Sequence, residues 1–280
     1  MRKQMGSVVL YFAVAVLAVG SSGRAPAQAA APAAGSDQPP KILFIVNEEV
    51  KTGKGGAHEK TEKQFAATLK AAKSPVRYLG MEAITGRPFA LFLSGFDSIA
   101  ELEKANESMH KNPVLSATLD KINLADGDLL SGATTSIYMF DPETSFHTGT
   151  HLSEMRYFEI TLFTLKPGHT KEWKELASIY SKAFEAYPEM QWAVFDKLYG
   201  VDSDRRVIMI QPWKSLADVD QEIKDGDAVD KAFTAEEQKK IHELSDACIA
   251  SSEAEIFAVN PKLSYEPEWE KTEPKFWGGK

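Results

Sequence analysis

The chain has 280 residues, with 40 acidic against 32 basic side chains and a formal net charge of −8 at pH 7. This acidity argues against nucleic acid or an anionic membrane surface as a partner, since both are themselves negatively charged. The single cysteine, Cys248, excludes an internal disulfide bond, and its apolar neighbours predict a small buried side chain.

The N-terminal residues have the pattern of a secretory signal peptide. Arg2 and Lys3 give a basic start, residues 8–19 are mostly apolar, and Ala27 and Ala29 have the small side chains that a signal peptidase requires. The apolar run is shorter than the roughly 20 residues of a membrane span, although an uncleaved anchor is the alternative.

These features predict a signal peptide at residues 1–29 and a flexible leader at residues 30–40. The mature protein is then expected to be periplasmic or secreted, with no membrane contact after cleavage. Its length of about 250 residues allows one large domain or two small ones.

Residues 41–142 predict one unit with the element order β-α-β-β-α-β. Apolar side chains at Phe65, Leu69 and Ala72 have helical spacing, and a Gly-Arg-Pro turn at residues 86–88 separates two strand-like runs. The predicted elements are strands at 41–50, 78–85, 89–96 and 134–140 and helices at 58–72 and 99–129, the second interrupted at Pro113.

Residues 154–261, after a linker at residues 143–153, repeat that order. Both blocks have a Lys-x-Gly turn followed by a histidine, and both have an aromatic-x-Ser start to a later helix, at Ser98 and at Ser215. The predicted elements are strands at 156–165, 191–199, 206–213 and 254–259 and helices at 171–187, 216–224 and 235–251. Residues 262–280 form an aromatic tail, expected to cross the barrel or to meet a partner.

The motifs at residues 166–169 and 206–218, with weaker copies at 51–58 and 89–101, resemble those of the dimeric α/β-barrel superfamily. That superfamily includes the NIPSNAP and EthD proteins, the antibiotic-biosynthesis-type monooxygenases and the chlorite-dismutase-like haem proteins. The resemblance implies an α+β fold in which two ferredoxin-like repeats pair into an intramolecular dimeric α/β barrel. The sequence leaves open whether the chain is a monomer with this internal pseudo-dimer or a higher homo-oligomer.

Two pairs of residues that match between the blocks are the candidate catalytic groups. His58 and His169 each open a helix, where the helix dipole favours the neutral imidazole; the alternative is an exposed turn residue. Glu82 and Asp196 precede matching glycines, and their pKa would be raised if they faced the barrel interior; the alternative is a surface acid. Glu159 has no acidic counterpart in the first block.

The aromatic residues of the predicted strands suggest a binding site for a small apolar or aromatic ligand, with ordinary core packing as the alternative. The candidate ligand-binding residues are Tyr78, Phe92, Trp192, Phe195 and Trp213. The resemblance to haem proteins implies His242 as a haem ligand, although this residue also fits an exposed helix face. No metal site is predicted, because His147 and His151 fall in a linker with little helical character.

The sequence therefore supports two main hypotheses and leaves open whether the protein is an enzyme. The first, by resemblance, is a cofactor-independent monooxygenase-like enzyme that acts on a small apolar substrate. The second is a non-catalytic periplasmic ligand-binding or stress-related protein. A haem-binding barrel is ranked below both.

Overall fold

The computed structural model describes residues 38–201 and 205–278. The predicted signal peptide and most of the predicted leader lie outside the described residues. Within the described part, eight strands and eight α-helices form an α+β fold around one closed antiparallel barrel. None of the described helices combines the length and the apolar character that a membrane span needs.

The first half has the predicted element order, with its second helix divided into two. Ser98 accepts a hydrogen bond from the Glu101 amide at the start of one helix, and Asn112 accepts one from the Leu115 amide at the start of the next. The elements are β1 (Ile42–Val50), α1 (Gly55–Ala71), β2 (Leu79–Ala83), β3 (Phe89–Phe96), α2 (Ile99–His110), α3 (Pro113–Gly127) and β4 (Leu130–Phe140).

The second half repeats this order. The Lys-x-Gly turns of both halves place their glycines at positive φ, 79° at Gly53 and 86° at Gly168, a backbone conformation that glycine adopts without strain. The elements are β5 (Tyr157–Leu165), α4 (Thr170–Ala183), β6 (Ala193–Gly200), β7 (Arg205–Trp213), α5 (Leu216–Ala232), α6 (Ala235–Cys248) and β8 (Ile249–Val259).

Two predicted boundaries are wrong in the same direction. The helix predicted over 235–251 ends at Cys248, and β8 begins at Ile249 instead of residue 254. Likewise β4 begins at Leu130 instead of residue 134. In both cases small polar residues with weak strand propensity become strand because they pair with the first strand of their own half.

The strands of each half form one four-stranded sheet, and the two sheets close on each other. Around the barrel the order is β1-β3-β2-β8-β5-β7-β6-β4, so β2–β8 and β4–β6 are the two seams between the halves. The two ferredoxin-like repeats therefore form an intramolecular dimeric α/β barrel, as the sequence predicted.

Alternate residues of each strand point into the barrel or toward the helices. The interior cluster includes Leu43, Met81, Phe158, Phe195 and Phe257, which come from both halves. Two larger apolar clusters lie outside the barrel, one beneath α1 and α3 and one beneath α4 and α6, and a smaller one includes Leu102 of α2. Cys248 is fully buried in the second of these, as predicted.

The aromatic tail crosses the barrel. Its first part runs beside β2, where Tyr265 pairs with Tyr78 and the Leu263 carbonyl oxygen would lie 2.4 Å from a Cβ on Gly80. Its last part forms α7 (Pro267–Thr272) and α8 (Pro274–Trp277). Trp277 is 2% exposed and donates from Nε1 to the Ser153 carbonyl at 2.8 Å. The tail therefore covers one end of the barrel.

Candidate functional site

A cavity of about 520 Å³ opens at the barrel end that the tail covers, a volume within the usual range for small-molecule sites. Its apolar walls are inward-facing strand residues from both halves, together with one tail residue: Leu43, Leu79, Leu93, Phe158, Phe195, Ile210 and Trp269. We call it the barrel-mouth cavity. Neither half could form it alone, because the walls come from β1, β2 and β3 on one side and β5, β6 and β7 on the other.

Polar side chains line the rim of the barrel-mouth cavity. Glu266, from the tail, lies beside Arg77; burial raises the pKa of Glu266 to about 7, and the charge of Arg77 opposes that rise. The lining also includes Thr150, whose hydroxyl donates to Gln191, and the Gln191 amide in turn donates to the Pro212 carbonyl at 3.4 Å. The cavity therefore combines an apolar body with a carboxyl group that can gain or lose a proton near neutral pH.

A second group of polar side chains lies outside the barrel, between β1 and the helices α1 and α3. His58 is fully buried, and its Nε2 lies 3.0 Å from Glu48 Oε2 and 3.9 Å from Asp126 Oδ2. Glu62, one helical turn after His58, is 7% exposed, and the Thr61 hydroxyl donates to Asp126. We call Glu48, His58, Glu62 and Asp126 the His58 cluster.

Burial and mutual charge shift the pKa values in the His58 cluster. Burial alone would lower the pKa of His58, but the hydrogen bond to Glu48 and the charge of Asp126 outweigh it, so this pKa is raised. Burial raises the pKa of Glu62 well above its ordinary range, and the charges of Glu48 and Asp126 add to the rise. Burial likewise raises the pKa of Asp126, although the hydrogen bond from Thr61 opposes the shift.

The predicted catalytic residues do not meet in one site. His58 is buried in its cluster, whereas His169 is a partly exposed residue just before α4, and its Nδ1 lies 3.3 Å from Glu172 Oε1. Glu82 points outward from β2 and accepts a hydrogen bond from Asn260 Nδ2 at 2.7 Å. Asp196 also points outward, 3.5 Å from Arg205. Neither carboxylate faces the barrel interior, and none of the four predicted residues lines the barrel-mouth cavity.

The predicted ligand-binding aromatic residues divide between the cavity and the core. Phe195 and Trp192 line the barrel-mouth cavity. Tyr78 and Phe92 instead pack edge to face beneath α1, with ring centroids 5.8 Å apart. Trp213 is buried on the outer face of β7. Strand alternation explains the division, since a strand residue faces the barrel or the helices according to its position in the pleat.

His242 does not fit the axial role that the resemblance to haem proteins implied. An axial ligand must project into a pocket that encloses the haem, but His242 lies on the exposed face of α6. The opposite face of that helix, with Ile241, Leu244 and Cys248, is packed into the apolar cluster of the second half.

A smaller polar group lies beneath α5 in the second half. Gln211 Nε2 donates to Glu222 Oε1 at 2.9 Å, and the Thr161 hydroxyl donates to Glu159 at 3.0 Å. Burial raises the pKa of Glu222 to about 7, and the nearby charge of Glu159 adds to this rise, while the hydrogen bond from Gln211 opposes it.

Sequence reasoning missed Glu266 and three members of the His58 cluster. Glu62 had a readable signal, because it follows His58 by four residues and so shares its face of the helix. Asp126 lies 68 positions after His58 in the sequence and approaches it only through the packing of α3 on α1. Glu266 belongs to the tail, so its place at the cavity depends on the path of the tail across the barrel.

Solved structures with similar folds include two that align over most of the chain. An anthrone oxidase-like protein gives a TM-score of 0.50 with 14% sequence identity, covering 80% of this chain and 93% of its own. A protein from Fusobacterium nucleatum subsp. nucleatum, named provisionally as a monooxygenase, gives a TM-score of 0.51 with 12% identity, covering 78% of this chain and 91% of its own. This chain has the dimeric α/β-barrel fold.

A more distant match is a variant of chlorite dismutase from Candidatus Nitrospira defluvii. It gives a TM-score of 0.47 with 6% identity, covering 84% of this chain and 96% of its own. No family model matches the chain, and no curated protein matches its sequence.

Proposed function

We propose that the protein is an exported α/β barrel that binds a small, largely apolar molecule in the barrel-mouth cavity. The observation that carries this proposal is the cavity itself. It has the volume of a small-molecule site, its walls are apolar side chains of both halves, and a few polar groups stand at its rim.

The lining of the cavity supports a largely apolar ligand with a polar group at one end. Leu79, Phe195 and Trp269 would enclose an apolar or aromatic body, since removing apolar surface from water favours binding by about 25 cal/mol per Å². Glu266 and Gln191 would then hydrogen-bond a polar group at one end of that body. A flat molecule with one hydroxyl or carbonyl group combines both properties.

Glu266 also makes an enzymatic role the second candidate, in place of the histidines and acids predicted from the sequence. A carboxyl group with a pKa of about 7 is suited to accept a proton from a bound substrate at neutral pH. Proton removal of this kind would prepare an apolar substrate for reaction with oxygen without a cofactor. The names of the two structural neighbours, an anthrone oxidase-like protein and a monooxygenase, agree with such chemistry.

Binding is tested with N-phenyl-1-naphthylamine, a neutral probe whose fluorescence increases in apolar surroundings. The wild-type protein should bind one probe molecule saturably. The Leu93→Trp variant, which adds bulk to the cavity wall, should bind the probe about tenfold more weakly or worse. Leu162→Trp adds the same bulk to the barrel interior outside the cavity and serves as the control. Equal binding by the wild type and Leu93→Trp would contradict the proposal.

Catalysis is tested separately, by oxygen uptake in the presence of anthrone. The enzymatic role would be supported if the wild type consumes oxygen and Glu266→Gln consumes it about 100-fold more slowly or worse. A positioned general base contributes at least that factor to the rate. Glu268→Gln, a second acid at the cavity, is the control. Probe binding without oxygen uptake would favour a non-catalytic periplasmic ligand-binding role.

Export is part of the proposal and rests on the basic start, the apolar run and the small residues at Ala27 and Ala29. Expression of the full chain in a Gram-negative host, followed by cell fractionation and intact-mass measurement, tests it. The expected product is periplasmic and begins at Ala30. A cytoplasmic product that retains Met1 would contradict export without bearing on ligand binding.

A further inference from the structure

The His58 cluster brings together four side chains of types that bind metal ions. Glu48 comes from β1, His58 and Glu62 from one face of α1, and Asp126 from the end of α3. If one potential ligand atom is taken from each residue, the four atoms all lie within 4.8 Å of one another. We propose that these four residues bind one divalent transition-metal ion.

The charges of the cluster call for a cation. The carboxylates of Glu62 and Asp126 are buried and that of Glu48 is partly buried, and within the described part of the chain the ion pairs of Glu48 and Asp126 run to His58. One imidazolium cannot balance three carboxylates, and buried charge without a partner is strongly unfavourable. In the protonation states that bind a metal, with the three carboxylates ionised and the imidazole neutral, a divalent cation would bring the net charge of the group from −3 to −1.

Unpaired polar atoms around the cluster give an independent indication of a missing ligand. Tyr78 is 5% exposed, and its hydroxyl has no hydrogen-bond partner among the described residues. This hydroxyl feels the charges of Glu62 and Glu48, so it lies toward the cluster. His58 Nδ1 is also buried without a partner among those residues. Buried polar groups are nearly always paired in native proteins. These unpaired atoms therefore indicate that a ligand occupies the cluster in the functional protein.

The second half shows that the fold does not require these acids. The bulges that follow Glu49 in β1 and Thr164 in β5 align the two strands, so that Phe163 occupies the position of Glu48. With His169 matching His58, Trp173 occupies the position of Glu62.

Phe163 and Trp173 pack against each other with their ring centroids 5.0 Å apart, within the apolar cluster of the second half. The first half therefore has acidic side chains at the positions where the second half has packed aromatic rings. A structural role alone gives no reason for this difference, whereas metal binding does.

The donor set selects the class of metal. Carboxylate oxygens suit Mg²⁺, Ca²⁺ and Mn²⁺, but the imidazole nitrogen favours first-row transition metals such as Mn²⁺, Fe²⁺ and Zn²⁺. An ion with ligands at about 2.0–2.2 Å holds opposite donor atoms about 4.4 Å apart. The four donors, already within 4.8 Å of one another, would need to move only slightly.

Metal binding is tested on the untagged protein after treatment with a chelator. Titration with Zn²⁺ by calorimetry should show one site per chain, and Co²⁺ should give visible absorption bands of a site with nitrogen and oxygen ligands. Mg²⁺ at the same concentration should not compete. Absence of a stoichiometric site for Zn²⁺, Mn²⁺ and Co²⁺ would overturn the proposal.

Variants locate the ion. His58→Gln and Glu62→Gln should each raise the dissociation constant by about 100-fold or more, since each removes a donor. His169→Gln changes the matching histidine of the second half and should bind as the wild type does. Circular dichroism checks that the variants fold. If they do not fold, pulsed electron paramagnetic resonance of Mn²⁺ bound to the wild type tests the assignment. One imidazole nitrogen bound to the ion would support it, and the absence of such a nitrogen would overturn it. Wild-type affinity in folded His58→Gln would overturn the assignment.

Discussion

Glu266 lies at the rim of the barrel-mouth cavity, and its protonation should govern how well a neutral ligand binds. Burial raises the pKa of this carboxyl group to about 7. Below that pH the group is uncharged, and an apolar ligand can cover it at little cost. Above that pH the ligand must displace water from a carboxylate, which disfavours binding.

We therefore expect the dissociation constant of N-phenyl-1-naphthylamine to rise by up to about tenfold between pH 6 and pH 8. In Glu266→Gln, which cannot ionise, the dissociation constant should stay constant over this range. Glu268→Gln should keep the wild-type dependence. A pH dependence that survives in Glu266→Gln would assign the titrating group elsewhere.

Glu222 offers a second prediction at the residue scale, this time on stability. Its pKa is about 7 in the folded protein because of burial, against 4.5 as the ordinary value that the unfolded chain restores. The folded state therefore binds this proton more tightly than the unfolded state does. The contribution of Glu222 to stability is largest below about pH 4.5, falls as the pH rises to about 7, and stays unfavourable above that.

Glu222→Gln should therefore melt about 2–4 °C above the wild type at pH 8.5, which corresponds to about 1 kcal/mol after allowance for the partial exposure of this side chain. At pH 4.5 the two proteins should melt together. Glu243→Gln, at an exposed position of α6, should show no such dependence on pH. A constant difference in melting temperature across this range would contradict the prediction.

At the scale of elements, the path of the tail depends on the absence of a side chain in β2. The tail backbone passes so close to Gly80 that a Cβ there would lie 2.4 Å from the Leu263 carbonyl oxygen. Ser264 strengthens this contact, because its hydroxyl accepts a hydrogen bond from the Gly80 amide at 2.9 Å. A backbone atom cannot yield as the end of a flexible side chain can.

We expect Gly80→Ala to destabilise the protein by about 1–3 kcal/mol, the usual effect of overpacking. Chemical denaturation monitored by circular dichroism measures the change. Gly132→Ala, in β4, is the control, since a Cβ there meets nothing within 4 Å. Because the tail also carries Glu266, Gly80→Ala should weaken probe binding as well. A stable Gly80→Ala protein with wild-type binding would contradict this account of the tail.

The sequence predicted the element types well because the hydrophobic pattern of each half is regular and the two halves repeat it. It placed the starts of β4 and β8 too late, since residues such as Ser251 and Ser252 have no strand propensity of their own and become strand by pairing with β5. It identified His58 through the repeat. It could not supply Asp126 or Glu266, whose positions depend on how distant elements pack.

At the scale of the whole molecule, the closed barrel makes the two halves depend on each other. Each sheet covers the inner face of the other, so either half alone would expose an apolar face to water. Met81 lies at one seam, where it is fully excluded from solvent and pairs with Val259 of the second half. The two halves should therefore unfold in one transition.

The distribution of tryptophan makes this testable, since all five tryptophans follow residue 142 and their fluorescence reports on the second half and the tail. Met81→Ala lies in the first half and should lower the free energy of unfolding by about 2–5 kcal/mol. If the barrel is one cooperative unit, tryptophan fluorescence and far-ultraviolet circular dichroism should give the same denaturation midpoint, and Met81→Ala should shift both equally. If the halves unfold independently, the fluorescence midpoint should stay at its wild-type value while part of the dichroism signal is lost earlier.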